Sequence, residues 1–137
     1  GSGIYNGRSQ IVWRRFSWKA EAMDDAFLRS ALTAAVERRA PEEARRLVWS
    51  ESDDLPGLVV DQYGDVLVVQ ALTLAMDRRL ERVGELLGEL VSPREIVFRN
   101  DAPVRERVRQ GCADYLAAMR KVISDVAAAP AAAVPAP

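Results

Sequence analysis

The chain has 137 residues, 49% apolar and 28% charged, with a formal net charge of −1. That length supports about one domain with a real core, and the near-zero charge excludes a global field drawing the chain to nucleic acid or membrane. A single cysteine, Cys112, and no histidine exclude an intramolecular disulfide and leave only carboxylates as metal ligands, with no suitable cluster in view.

No apolar run reaches the length of a membrane span, and no signal-peptide pattern opens the chain, so a cytoplasmic location is expected. Charge is unevenly spread. Residues 1–20 carry Arg8, Arg14, Arg15 and Lys19 and no acid, residues 21–90 hold 15 acids against 8 bases, and residues 91–137 hold seven bases against five acids.

Residues 9–18 are rich in β-formers and read as a first strand. Its parity is mixed: Ile11 and Trp13 share one face and Phe16 and Trp18 the other, so either a bulge switches faces or both are partly covered. One reading puts Trp13 and Phe16 in the core with the arginines solvated. The other is a nucleic-acid platform, in which rings stack on bases and cations hold phosphates.

A helix is predicted from Asp24 to Arg39, where Phe27, Leu28, Ala31, Leu32, Ala35 and Val36 form one apolar stripe and Pro41 ends the run. Arg45–Ser50 reads as a strand with Leu47 and Trp49 on one face. Asp53-Asp54-Leu55-Pro56-Gly57 makes a turn, with Pro presetting φ and Gly tolerating φ > 0. Two β-branched runs, Leu58–Val60 and Val66–Val69, then flank a three- to five-residue hairpin loop over Asp61–Asp65. A helix over Thr73–Val91 carries Met76, Leu80, Val83, Leu87 and Leu90 on one side, and Ser92-Pro93 stops it. Glu95–Arg99 reads as the last strand.

From Asp101 the pattern turns helical again, with Val104, Val108, Cys112, Tyr115, Met119, Val122 and Val126 on one stripe. Residues 127–137 are an Ala/Pro-rich run read as a disordered tail. The fold class is therefore α+β, a two-layer sheet-and-helix domain of order β-α-β-β-β-α-β-α.

Three segments carry a resemblance. Glu51-Ser-Asp-Asp-Leu-Pro-Gly-Leu-Val-Val-Asp-Gln-Tyr-Gly-Asp65, Gly3-Ile-Tyr-Asn-Gly-Arg-Ser-Gln-Ile11 and Arg99-Asn-Asp-Ala-Pro-Val-Arg-Glu106 resemble, in order, the central domain of the S-adenosylmethionine-dependent large-subunit ribosomal RNA cytosine-5 methyltransferases, its junction with a preceding PUA domain, and its end. The resemblance implies a PUA domain before the matched region and a Rossmann-type catalytic domain after it. Residues 1–8 would then be a linker from a PUA-like domain, 9–110 the central domain, 111–126 a divergent helical extension and 127–137 the tail. The match stops after Gln110-Gly111, which suggests a truncated, shuffled or degenerate relative, or part of a longer chain.

The catalytic machinery of such a family is not found in this sequence. A methyl-donor site usually places a Gly-rich loop between a strand and a helix, and no such loop is present. Cytosine-5 methylation also needs a thiolate nucleophile; Cys112 matches no family motif, and its position on the apolar stripe marks it as core. No catalytic, cofactor-binding or metal residues are therefore assigned, and S-adenosylmethionine is expected only in the full-length family. The Asp pairs at 53–54 and 61/65 read as turn residues, and Glu51 and Asp61 as cross-strand partners of Arg45 or Arg46.

The candidate RNA contacts are Arg8, Arg14, Arg15 and Lys19. Arg99, Asp101 and Arg105 are candidates for an interdomain or RNA-facing role, against a plain strand-to-helix capping turn. Two readings of function follow. One is a non-catalytic module that orients 23S ribosomal RNA and spaces the PUA and Rossmann domains. The other is an interaction module in which residues 104–126 pair two copies of the chain.

Overall fold

The structure is a computed structural model that describes residues 1–99. In chain order its strands are β1 (Ser2–Tyr5), β2 (Trp13–Ser17), β3 (Ala44–Trp49), β4 (Leu58–Tyr63), β5 (Val66–Ala71) and β6 (Glu95–Phe98). Its helices are α1 (Asp25–Glu37), α2 (Leu74–Asp77) and α3 (Leu80–Val91), and a 3-10 turn at Ser50–Asp53 follows β3. The helix expected from Asp101, the thiol of Cys112, the pairing stripe at 104–126 and the tail at 127–137 lie outside the described residues.

β1 and β2 form an antiparallel ribbon, while the other strands form one sheet in the order β3-β4-β5-β6. Only β5 and β6 run parallel, because the connection between them is a helical crossover rather than a hairpin. α1 and α3 lie against each other on one face of this sheet, and Leu32, Leu47, Leu67, Val83 and Leu87 between the layers have no exposed surface. Among the described residues the arrangement follows the expected α+β order as far as β6, with β1 and α2 added.

The two predicted turns form for the reasons given by their residues. Gly57 has φ +85° and the Leu58 amide donates to the Leu55 carbonyl at 2.9 Å, closing a turn over Pro56-Gly57. The hairpin is tighter than predicted: Tyr63 pairs with Val66, so only Gly64 and Asp65 are unpaired, with Gly64 at φ +58°. Asp65 turns its carboxylate to Arg94 at 2.9 Å, tying the hairpin to the start of β6.

Three further elements differ from the sequence expectation. Residues 2–5, read as linker, form β1, which pairs with β2 across the loop of residues 6–12. Leu47 and Trp49 do not share a face: the register slips between Arg46 and Val48, so Leu47 and Val48 are both buried and Trp49 turns outward, 48% exposed. The helix over Thr73–Val91 breaks at Arg78–Arg79. In an unbroken helix the Arg79 amide would bond the Ala75 carbonyl. Here it bonds the Met76 carbonyl at 3.0 Å, and the Arg79 guanidinium takes over Ala75 at 2.9 Å and reaches Met23 at 3.3 Å.

Asp53 closes the domain at the end of β3. Its Oδ1 accepts from Arg38 at 3.1 Å and Arg39 at 2.7 Å, and its Oδ2 accepts from Arg39 at 2.6 Å and the Trp49 amide at 2.6 Å. Burial pushes this carboxyl up, yet the Arg39 fork, the Trp49 amide and the two cations together hold it below the ordinary aspartate range. Such a group stabilises the fold above its unfolded pKa, and the contribution fades as pH falls through the folded value. Asp53→Asn is expected to lower unfolding stability at pH 7 by about 3 kcal/mol, the low end for a broken buried pair because both guanidiniums keep some solvent. Urea titrations below about pH 4 should show the parent losing stability more steeply than the variant.

Candidate nucleic-acid interface

The ribbon is the place where aromatic and cationic side chains gather. Its ladder pairs Tyr5 with Trp13, Ile4 with Arg14 and Gly3 with Arg15, then jumps so that Ser17 meets Ser2 and Phe16 is the extra residue. Strand alternation sends Arg14 and Phe16 inward, and Trp13 and Arg15 outward. The bulge at Phe16 then restores the outward side to Trp18. This resolves the mixed parity of the sequence by the first of its two alternatives.

Phe16 is 4% exposed and meets Phe27 edge-on with ring centroids 4.9 Å apart. Trp13 is not core, being 51% exposed. Its indole lies across Gly3, where a Cβ would come within 2.4 Å of the ring, so a side chain at position 3 would lift the ring from the strand. Trp18 is 77% exposed with the Arg15 guanidinium 3.2 Å from its ring centroid, and Tyr5 is 78% exposed. The outer face is thus a pair of indoles and a phenol with a cation among them.

The four predicted cations separate into two kinds. Arg15 and Lys19 stand at the Trp18 end of the ribbon. The chain there is pinned by the Ser2 hydroxyl, which donates to the Lys19 carbonyl at 3.0 Å and accepts from the Glu21 amide at 2.9 Å. Arg8 sits in the loop at the opposite end, where its amide donates to Asn6 Oδ1 at 3.1 Å. Arg14 is turned to the opposite side of the ribbon from Arg15 and donates to Glu51 Oε1. Burial raises the Glu51 carboxyl, but the Ser50 hydroxyl and Arg14 together hold it below the usual range.

Of the second predicted set, only Arg99 is described. Its amide continues the β5–β6 ladder by donating to the Val69 carbonyl at 2.9 Å. Asp101 and Arg105 lie outside the described residues. Arg46 pairs with Asp61 through both carboxylate oxygens at 2.7 and 3.1 Å, as one cross-strand expectation had it, and stacks on Trp49 at 4.2 Å. Arg45 instead donates to Gln62 and to the carbonyls of Arg39 and Ala40.

Sequence reasoning missed the open face of the large sheet. There Trp49, Val59 and Gln70 stand in one row across β3, β4 and β5. A cleft of about 420 Å³ opens over that row, bounded also by Arg14, Ser50 and Thr73. The bulge that turned Trp49 outward has no sequence signal beyond an extra apolar residue in β3.

S-adenosylmethionine does not fit the described residues. A donor site needs backbone amides opened by glycine where a strand enters a helix. Among the described residues the chain passes from strand to helix at 18–24 and 72–73, and neither stretch contains glycine. Nor do three or more metal-ligating side chains come together among the described residues, and no described helix is long and apolar enough to cross a membrane.

No family model matches the chain. It is 36% identical over 112 residues to ribosomal RNA large subunit methyltransferase I of Aeromonas salmonicida, covering 77% of this chain and 28% of that protein. It is 35% identical over 114 residues to the protein of the same name from Shewanella amazonensis, covering 78% and 29%. The chain thus spans under a third of the length of the curated relatives it matches. A structure from Streptococcus mutans described as a SAM-dependent methyltransferase superposes with a TM-score of 0.63 at 15% identity over 72% of this chain and 29% of that one. A second methyltransferase structure, solved with SAH, gives 0.60 at 14% identity over 71% and 28%. These two likenesses are of fold.

The division between outward and inward arginines can be measured. Arg14→Ala is expected to cost about 1 kcal/mol in urea unfolding, because it strips a half-buried partner from Glu51. Arg15→Ala should stay within about 0.5 kcal/mol of the parent.

Proposed function

From the premise that this chain carries a domain of the ribosomal RNA large subunit methyltransferase I family, we propose that it orients RNA and spaces domains for a SAM-dependent 23S ribosomal RNA cytosine-5 methyltransferase. In this reading it contributes no reacting group. The observation that carries it is the outer face of the β1–β2 ribbon, where Trp13, Trp18 and Tyr5 stand exposed beside Arg15. Exposed indoles on a rigid strand pair offer π-faces to unstacked bases, and a guanidinium held against one of them can meet the adjoining phosphate without further ordering.

The net charge of −1 argues against unspecific wrapping of the domain by RNA. It favours contact limited to the basic first twenty residues. S-adenosylmethionine would supply the methyl group, and its binding is assigned to parts of such a protein outside the matched stretch, as is the attacking thiolate. What this domain's own residues do is present a stacking surface at a fixed distance from its neighbours.

The test is binding of 23S ribosomal RNA fragments followed by tryptophan fluorescence across a salt series. With Arg15 and Lys19 each meeting a phosphate, log K should fall against log salt with a slope of about −1 to −2. Arg15→Ala should flatten the slope by about one unit, whereas Arg14→Ala leaves it unchanged. Trp13→Ala and Trp18→Ala should each weaken binding about tenfold at every salt concentration. Binding at low salt no stronger than that of an acidic control protein rejects the reading.

A further inference from the structure

The row Trp49, Val59, Gln70 sits on the open face of the four-stranded sheet, and the ribbon reading makes no use of it. Register fixes the three as direct cross-strand neighbours. With strands about 4.8 Å apart, the outer two positions stand roughly 10 Å from each other. Trp49 is 48% exposed, and Val59, at 7%, shows only its top. Arg46 stacks on one face of the indole, and both side chains line the cleft. The Gln70 side-chain amide makes no hydrogen bond among the described residues, so it offers one donor and one acceptor edge to whatever enters.

The charges around the cleft are already matched. Arg14 is held by Glu51, and Arg46 by both oxygens of Asp61. A phosphate arriving here would have to displace a carboxylate from its guanidinium. A neutral ring would displace nothing. The volume, about 420 Å³, falls in the range of small-molecule sites, roughly 300–1,000 Å³.

We propose that this cleft is a subsite for a single unpaired nucleobase, stacked on Trp49, resting on Val59 and read at its edge by the Gln70 amide. The inference rests on the RNA-orienting role above and adds to it a position that distinguishes one base from another. The ribbon supplies contacts that follow the backbone and vanish with salt. The cleft supplies a contact that salt hardly touches, because no counterion is released when a neutral ring binds. An amide edge with one donor and one acceptor suits bases that present the complementary pair.

The test uses the full 137-residue chain, labelled with nitrogen-15, titrated separately with the four nucleoside 5′-monophosphates and with inorganic phosphate. Saturable shifts at the Trp49 indole N–H and the Gln70 side-chain amide are expected with at least one nucleotide and not with phosphate, at equal affinity in low and high salt. Trp49→Ala should abolish the response. Gln70→Leu, which keeps the volume and removes both polar groups, should weaken it about tenfold and level the preference among bases. Neither position is buried in the core, and an unchanged far-field spectrum confirms that each variant folds. Shifts confined to Trp13 and Trp18 would overturn the cleft inference and leave the ribbon reading standing. Nucleotide binding at the cleft without ribosomal RNA binding at the ribbon would do the reverse.

Discussion

Asp53, 1% exposed, is the one buried charged or polar residue among those described, and the geometry of both candidate surfaces follows from how it is satisfied. A carboxylate removed from water must have its lone pairs filled. Here that takes the Arg38 and Arg39 guanidiniums from the end of α1 and the Trp49 amide from the end of β3. One side chain therefore fixes where the helix layer stops relative to the sheet. The 3-10 turn that carries it places Ser50 so that its hydroxyl accepts from the Gly57 amide at 2.8 Å and donates to Glu51. Glu51 in turn receives Arg14 from the ribbon. The ribbon, the sheet and α1 are linked through a few bonds around this turn.

Two irregularities in otherwise plain strands decide what the surface can do. A regular β2 would have sent Trp18 to the side of Phe16, against the core. The extra residue in the ladder at Phe16 sends it out beside Arg15. A regular β3 would have buried Trp49 with Leu47, as their spacing of two demands. The slip between Arg46 and Val48 buries the neighbouring pair and exposes the indole. Bulges bend a strand and re-aim side chains at the cost of one ladder position, and here each delivers one tryptophan to solvent. Buried, those rings would have added apolar burial worth a few kcal/mol. Exposed, they contribute little to the fold, and the physical case for a binding role rests on that difference.

Much of the fold was legible because its determinants are local. The apolar stripe from Phe27 to Val36, the Pro56-Gly57 turn and the paired β-branched runs each specify their element within a few residues, and each appears as read, apart from the tighter loop at Gly64. The rest depends on partners distant in sequence. Ser2–Tyr5 has too short a pattern to read as a strand alone, and becomes one only against Trp13–Ser17. The break at Arg79 is accompanied by a bond from its guanidinium to the Met23 carbonyl, 56 residues away. Asp53 looked like any turn aspartate, since nothing local says that two arginines from the preceding helix converge on it. At the candidate interface the residue types were legible and their sorting was not: Arg14 and Arg15 are adjacent in sequence and face opposite ways.

That sorting bears on how an arginine-rich chain of nearly neutral charge should be understood. Arg14, Arg38, Arg39, Arg46, Arg82 and Arg94 each engage a carboxylate, and Arg45 and Arg79 engage backbone carbonyls. Guanidiniums used this way hold elements together and present little net field to a polyanion. Arg15 differs in kind, because its partner is the Trp18 ring. A ring quadrupole attracts the cation without neutralising it, so the guanidinium keeps its charge and its outward donors while losing much of its rotamer freedom. A side chain both charged and preordered has less entropy to lose when it meets a phosphate. The count of arginines thus says little about RNA, whereas the chemical nature of each partner separates Arg15 from the arginines that hold the fold together.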